Sequence, residues 1–340
     1  MFLVYKFIRP NALIDETEAV CKKRSFFKVA ITFLLVYMIG TFLANMVMTA
    51  PLMTYVMTDS EIIEIIGSDI SAQEYTDRIN NALSRIYAEL PDWMNAISLC
   101  ATVATIAVVI FYCTKIEKRR LYTIGFRFKG AAFEYLSGIG IGLVLFSAVY
   151  GIDLLSGEFV FGGINKELPI STLLLFFFGF IIQGASEEIL LRGYFFVSSA
   201  ACGNVPVALF ISSGLFAAMH LGNPGVSILA VFNIFLFGVF AALYFLRRGS
   251  IWGICAIHSI WNFAQGNIFG CRVSGMTFST SIINTVENGG IWSGGAFGPE
   301  GGLGTTVVLA IAIVIVTFMK NKNHEGFYIR KVSESRSMFY

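Results

Sequence analysis

The sequence predicts an all-α fold, a polytopic transmembrane helix bundle of about eight spans. The first observation is composition: 56% of the 340 residues are hydrophobic and 14% are charged, against about half and a quarter in soluble domains. The second is a series of apolar runs, each long enough to cross a bilayer. The third is that basic clusters lie between these runs. We therefore expect a multi-pass protein of the cell membrane, in contact with the lipid bilayer.

The eight predicted spans follow the apolar runs along the chain. Each run approaches the roughly 20 residues that a helix needs to cross a bilayer. A turn signal, Asn223-Pro224-Gly225, separates the fifth run from the sixth. The segments 156–167 and 270–304 are predicted to be loops, the first polar and the second rich in glycine. By number, the spans cover approximately 29–48, 93–113, 131–155, a fourth beginning near 170, 205–221, 226–246, 251–269 and 305–319.

Basic clusters predict the orientation of this bundle. With eight spans, all of the clusters fall on one side of the membrane. The positive-inside rule assigns that side to the cytoplasm. Both termini are then cytoplasmic. The clusters lie at 22–28, 115–129, 247–248 and 320–322.

The segment 51–92 is predicted to lie on the outer side. It carries eight acidic residues and only two basic ones. Within it, residues 72–90 are predicted to form an amphipathic helix. We divide the chain into an N-terminal region, 1–130, with two spans, and a core, 131–340, with six. Nothing in the sequence indicates a soluble catalytic domain or a nucleic-acid partner, so any chemistry comes from the spans.

One charged stretch stands out inside an apolar run. Glu187, Glu188 and Arg192 are the only charged residues between Ser171 and Leu246. Charges at bilayer depth are costly and mark either a site or an internal ion pair. Glu188 and Arg192 are four residues apart, so they share a helix face and neutralise each other. Glu187 lies about 100° around the helix without a local cation, as suits a general base. The alternative is a purely structural ion-pair network.

Two of the three histidines, His220 and His258, fall in predicted spans, and the third, His324, lies in the polar tail. Asn262 follows His258 by four residues, so both project from one helix face. Their N–H groups could form an oxyanion hole, or a polar clasp between helices. The helical rise places His220 about 10 Å deeper than His258, so a kink, a tilt or a late start of the fifth span is needed for them to meet.

These residues form three motifs that resemble those of a known family. Glu187-Glu188-x-x-x-Arg192, Phe216-x-x-x-His220 and His258-x-x-x-Asn262 look like the EExxxR, FxxxH and HxxxN motifs of the CAAX protease and bacteriocin-processing (CPBP, or Abi) family. The flanking residues resemble its bacterial members, and the similarity covers about 168–268. The resemblance implies an intramembrane endopeptidase that cleaves a membrane-associated peptide or protein.

The resemblance also implies a role for each residue. Glu187 and His220 would activate a water, and His258 and Asn262 would stabilise the oxyanion. Glu188 and Arg192 would hold the geometry of the site. No cofactor is required on this interpretation, although Glu187, His220 and His258 are also plausible zinc ligands.

Two other functions stay open. The first is a non-catalytic membrane protein that confers bacteriocin immunity or binds a peptide, since such proteins occur in the family. The second is a small-solute transporter, which often shows internal repeats; none is found in the sequence. The six cysteines are scattered without metal-ligand spacing, so we expect no disulfide framework and no cysteine zinc site.

Overall fold

The computed structural model describes residues 11–20 and 25–320, which form a bundle of helices with one small sheet. In chain order the elements are α1 (Ala12–Val20), α2 (Phe26–Met57), α3 (Ser60–Ile66), α4 (Ala72–Ala88), α5 (Asp92–Ile116), α6 (Ala131–Leu155), β1 (Phe159–Ile164), α7 (Ile170–Ala201), α8 (Val205–Ala218), α9 (Ile228–Arg248), α10 (Ile251–Phe263), β2 (Ile283–Glu287) and α11 (Leu303–Phe318).

The predicted all-α membrane bundle is confirmed. Five of the described helices are long and apolar enough to cross a membrane: α2, α5, α6, α7 and α9. The shorter apolar helices α8 and α11 lie where the fifth and eighth spans were predicted. The seventh predicted span contains α10, which continues as a π-helical segment, Ala264–Ile268.

Helix α10 lies in the interior because α6 and α7 approach it through glycines. A Cβ at Gly138 of α6 would overlap the backbone carbonyl of Gly253 in α10. A Cβ at Gly184 of α7 would lie 2.7 Å from the Ser259 hydroxyl of α10. Close approach through small residues increases van der Waals contact between membrane helices, where the hydrophobic effect contributes little. All thirteen residues of α10 except Trp252 are buried.

The segment 51–92 is not a single loop. Helix α2 extends to Met57, well beyond the predicted end of the first span, and α3 and α4 fold back as a helical hairpin. Helix α4 confirms the predicted amphipathic helix over 72–90. The buried faces of α2, α3 and α4 form a small apolar cluster of Val56, Ile62, Ile65, Ala82 and Ile86.

The predicted loops 156–167 and 270–304 are also more ordered than expected. Strand β1 from the first pairs antiparallel with β2 from the second, with Phe159 opposite Glu287, and the register shifts between Phe161 and Ile164. Alternation over five residues is too short to separate a strand from a loop in a glycine-rich segment. The interpretation of these segments as loops was therefore wrong for 159–164 and 283–287, whereas most of 270–304 is irregular as expected.

The described basic clusters lie at one end of the bundle and the sheet at the other. At the basic end, Arg248 pairs with Glu134, and the backbone of Ile251 bonds to Gly125. At the sheet end, the Ser279 hydroxyl donates to Asp92 at the start of α5. The cytoplasmic orientation of the basic end and the division at residue 130 stay predictions. The basic residues 22–24, Lys322 and His324 lie outside the described residues.

Candidate active site

Helix α7 carries the charged stretch, and its geometry changes just after the two glutamates. The helix is α-helical to Glu188 and then π-helical over Ile189–Phe196, and every residue of the π segment is buried. Such π segments often occur at functional sites. Gly193 allows this segment to approach the loop after α5, since a Cβ there would lie 2.8 Å from the Ile124 carbonyl oxygen.

Glu188 and Arg192 form the predicted ion pair in the bundle interior. An Arg192 guanidinium nitrogen donates to Glu188 Oε1 over 3.1 Å, and neither side chain is exposed. The same guanidinium donates to the Gly238 carbonyl of α9 at 3.3 Å and lies 4.6 Å above the Phe216 ring of α8. Loss of either partner would leave an uncompensated buried charge, which is strongly destabilising. Both side chains are therefore needed to keep this part of the bundle folded.

His258 of α10 joins this pair. Its Nδ1 is 2.9 Å from Glu188 Oε1. A carboxylate only accepts hydrogen bonds, so Nδ1 carries the proton. The second ring nitrogen, Nε2, takes no part in this hydrogen bond. That atom lies 3.7 Å from Glu187 Oε2. The rings of Phe216 and Phe237 pack edge-on against the imidazole and fix its plane.

Glu187 is oriented by Gln183, a residue that the sequence analysis missed. Gln183 lies one turn before Glu187 on α7, and its Nε2 donates to Glu187 Oε1 over 2.6 Å. Its Oε1 accepts from the Asn262 amide at 3.1 Å. One carboxamide thus links Glu187 to Asn262. The signal was available, since Gln183 is a polar residue in an apolar run at the i−4 position of Glu187.

His220 lies in the turn that follows α8 rather than in the helix. The predicted fifth span, 205–221, is therefore too long, because α8 ends at Ala218. The Nδ1 of His220 is 2.8 Å from the Phe216 carbonyl oxygen and donates to it. This bond places the proton on Nδ1, so Nε2 keeps a lone pair that can accept a proton.

A cavity of about 370 Å³ brings the predicted residues together. Glu187, His220, His258 and Asn262 all line it, together with Gln183. The two histidines thus line one cavity despite the depth difference expected from helical rise. Glu188 and Arg192 do not line the cavity. Glu187 Oε2 is buried and has no hydrogen-bond partner among the described residues.

The predicted zinc ligands were tested against this arrangement. Glu187, His220 and His258 share the cavity, but among residues 11–20 and 25–320 no three His, Cys, Asp or Glu side chains are grouped as a metal site. The Nδ1 atoms of His220 and His258 are both engaged by the protein. Zinc-binding histidines commonly donate their second ring N–H in this way, so Nδ1 engagement leaves both Nε2 atoms available. The described side chains are nevertheless not grouped closely enough for a metal site, and we derive no step through a metal.

Comparison with protein families matches the part of the chain that carries the site. Residues 169–264 match the family model of Rce1-like proteins, described as type II CAAX prenyl endopeptidases. The match runs from the residue before α7 to the end of α10 and contains all three motifs. Comparisons with curated proteins and with solved structures give no match. The resemblance that the motifs predicted is therefore confirmed, and the segment 169–264 of this membrane protein is similar to Rce1-like proteins.

Proposed function

We propose that the protein is an intramembrane endopeptidase that hydrolyses a peptide bond of a membrane-associated substrate with a water activated by Glu187 and His220. The family match supports endopeptidase activity in general. The observation that carries the specific proposal is the unpartnered Oε2 of Glu187, which belongs to a side chain lining an interior cavity. A carboxylate oxygen without a hydrogen-bond partner in the protein can take a proton from a water that reaches it.

In the first step, the water loses a proton to Glu187 and its oxygen attacks the carbonyl carbon of the scissile bond. Gln183 holds Glu187 by Oε1, which leaves Oε2 without a hydrogen-bond partner among the described residues. His220 assists because its Nε2 lone pair can accept a hydrogen bond from the same water. Breakdown of the tetrahedral intermediate then breaks the C–N bond, and the proton held by Glu187 passes to the leaving amine.

His258 and Asn262 are proposed to stabilise the oxyanion of the tetrahedral intermediate. The Asn262 amide has two N–H groups, and one of them donates to Gln183, so the second is available. His258 already gives its Nδ1 proton to Glu188, so Nε2 donates only when the ring carries both protons. Donors held in place by neighbouring groups are effective because they need no reorganisation during the reaction.

The substrate is proposed to be a peptide or protein held in the cell membrane. The cavity is lined by residues of the apolar helices α2, α5, α7, α8, α9 and α11 and of the buried helix α10. We further propose, from the positive-inside rule, that both termini lie in the cytoplasm. The preferred mechanism requires no cofactor.

The proposal is tested by incubating the purified full chain in detergent with a mixed library of apolar peptides. Wild type is compared with Glu187→Gln, and with Glu167→Gln as a control for loss of an exposed loop carboxylate. We expect defined cleavage products from wild type and from the control, and none from Glu187→Gln with an unchanged thermal unfolding curve. Cleavage by Glu187→Gln contradicts the assignment. Binding of peptides without cleavage by wild type supports the non-catalytic, peptide-binding alternative.

A further inference from the structure

Among the described residues, two carboxylates line the cavity that holds the site, and no lysine or arginine does. Glu187 lies among the site residues, and Glu300 belongs to the segment between β2 and α11. We propose that Glu300 forms a subsite for a cationic nitrogen group of the peptide substrate. This inference rests on the proposed endopeptidase function and names a substrate class for it.

Glu300 is fixed in a way that leaves one oxygen available. Its Oε2 accepts both the backbone N–H of Ser274, at 2.6 Å, and the Ser274 hydroxyl, at 2.7 Å. No partner of Oε1 is found among the described residues. The backbone carbonyl of Glu300 accepts from the Asn233 amide at 2.9 Å. A carboxylate held by two hydrogen bonds on one oxygen, on a residue whose backbone is held by a third, needs little ordering when a ligand reaches its other oxygen.

The residue that holds Glu300 is itself in an unusual conformation. Ser274 has φ of +48°, and it is one of two non-glycine residues with positive φ in the described chain. The Asn223 amide donates to the Ser274 carbonyl at 3.1 Å, so cavity-lining residues of two segments hold the serine in place. The strained conformation directs both the N–H and the hydroxyl of Ser274 at the same carboxylate oxygen.

The charge balance of the cavity decides which ligand group this subsite accepts. The nearest cation in sequence to Ser274, Arg272, is already paired with Glu287 at 3.1 Å. The guanidinium of Arg192 is buried against Glu188 and does not line the cavity. A cationic nitrogen group at Glu300 gains a charge-assisted hydrogen bond. A carboxylate of a ligand at the same place would meet like charge without a compensating cation.

The chain contains a matched control for Glu300. Glu158 Oε2 accepts the N–H of Ser293 at 2.7 Å and its hydroxyl at 2.8 Å, the same arrangement as Glu300 with Ser274. Glu158 lies in the same end of the bundle but does not line the cavity. Glu158→Gln therefore measures the structural effect of losing a serine-bound carboxylate that does not line the cavity.

The test uses apolar peptides of about 20 residues in which a single lysine, or a glutamine as control, is moved one position at a time. The peptides of this first set have acetylated N-termini. A second set has free N-termini and no lysine, and it tests whether a terminal ammonium group is recognised equally well. Cleavage by wild type is followed by mass spectrometry. Binding is followed by fluorescence anisotropy with Glu187→Gln, which leaves Glu300 as the only carboxylate that lines the cavity in the described part of the chain.

In at least one register we expect wild type to cleave the lysine peptide about tenfold more efficiently than its glutamine partner, as one charge-assisted hydrogen bond in a cavity allows. Glu300→Gln should reduce this ratio to about one, whereas Glu158→Gln should leave the ratio unchanged. Cleavage without any lysine or ammonium preference overturns the subsite but not the endopeptidase. Lysine-selective binding without cleavage supports the subsite and overturns the endopeptidase function. Equal loss of the ratio in both glutamine variants also overturns the subsite, because it shows a structural effect.

Discussion

Glu187 and Glu188 are neighbours in the chain, yet their environments differ completely. Glu188 Oε1 accepts from both Arg192 and His258 in the interior, and this part of the site is the ion-pair network that was considered as an alternative. Glu187 accepts no hydrogen bond from that network, although its Oε2 lies 3.7 Å from His258 Nε2, and its side chain lines the cavity. Because adjacent helical residues point about 100° apart, one carboxylate can anchor the site while the next is available for chemistry. This division supports the proposed roles.

Gln183 provides the sharpest test of positioning within the site. Gln183→Leu removes the hydrogen bond to Glu187 and releases the Asn262 amide, with little change in volume. Because misplacement of a reacting group by about 1 Å can cost a hundredfold in rate, we expect kcat to fall by about tenfold to a hundredfold with KM nearly unchanged. Kinetics on a peptide from the library measure both constants. A variant with normal kcat would show that Gln183 does not position Glu187.

The packing of α6 on α10 sets the position of His258 and Asn262. A Cβ at Gly142 would overlap the Ile260 side chain and lie 2.6 Å from the Ile257 carbonyl oxygen, whereas a Cβ at Gly140 meets nothing within 4 Å. Backbone cannot move aside as a flexible side chain does. The two glycines therefore form a matched pair on one helix.

We expect Gly142→Ala to destabilise the protein by about 1–3 kcal/mol, the usual cost of overpacking. Gly140→Ala should instead leave the free energy of unfolding unchanged or raise it by up to about 1 kcal/mol, because alanine favours the helix. Unfolding in detergent micelles compares the two. Equal effects of both substitutions would show that α6 and α10 are not held by this close approach.

The hairpin of α3 and α4 gives a pH-dependent prediction outside the spans. The Arg85 guanidinium hydrogen-bonds Asp59 and holds the pKa of that carboxyl below its ordinary value of 3.8. Because folding lowers this pKa, the stabilisation is fully present when the pH is above the ordinary pKa. It is lost as the pH falls through the lowered pKa of the folded state. Asp59 also caps α3, accepting from the backbone of Glu61 and Ile62.

Amide exchange of α3, corrected for intrinsic rates, should therefore show constant protection at neutral and mildly acidic pH and a loss of protection below pH 3.8. Asp59→Asn should show the reduced protection already at neutral pH, while Asp69→Asn, on the exposed connection between α3 and α4, should behave as wild type. Constant protection down to strong acid in wild type would contradict the role of the Asp59–Arg85 pair.

Much of this architecture could be predicted because bilayer length and apolar composition leave few alternatives for a chain. The eight helices were found near the predicted places, and helical periodicity correctly placed Glu188 against Arg192. The pairing of β1 with β2 depends on contacts between distant segments, which local patterns do not encode. The early end of α8 and the π segment after Glu188 likewise depend on packing, so the relation of His220 to His258 could not be derived from helical rise alone.

The two ends of the bundle carry different charges, and this asymmetry predicts orientation. Single cysteines in a cysteine-free background test it: Lys129→Cys lies at the basic end and Glu167→Cys at the opposite end, and both positions are exposed. In intact cells, an impermeant maleimide should label Glu167→Cys and not Lys129→Cys. The opposite pattern would contradict the positive-inside assignment.

The most direct measurement of the central claim separates binding from catalysis at Glu187. For one peptide that wild type cleaves, the dissociation constant and kcat are determined for wild type and for Glu187→Gln. If Glu187 is the general base, the variant binds the peptide with nearly unchanged affinity, while kcat falls by about 10² to 10⁴, the range that general-base catalysis contributes. A variant that retains kcat, or that loses affinity and activity together, would contradict hydrolysis by a Glu187-activated water.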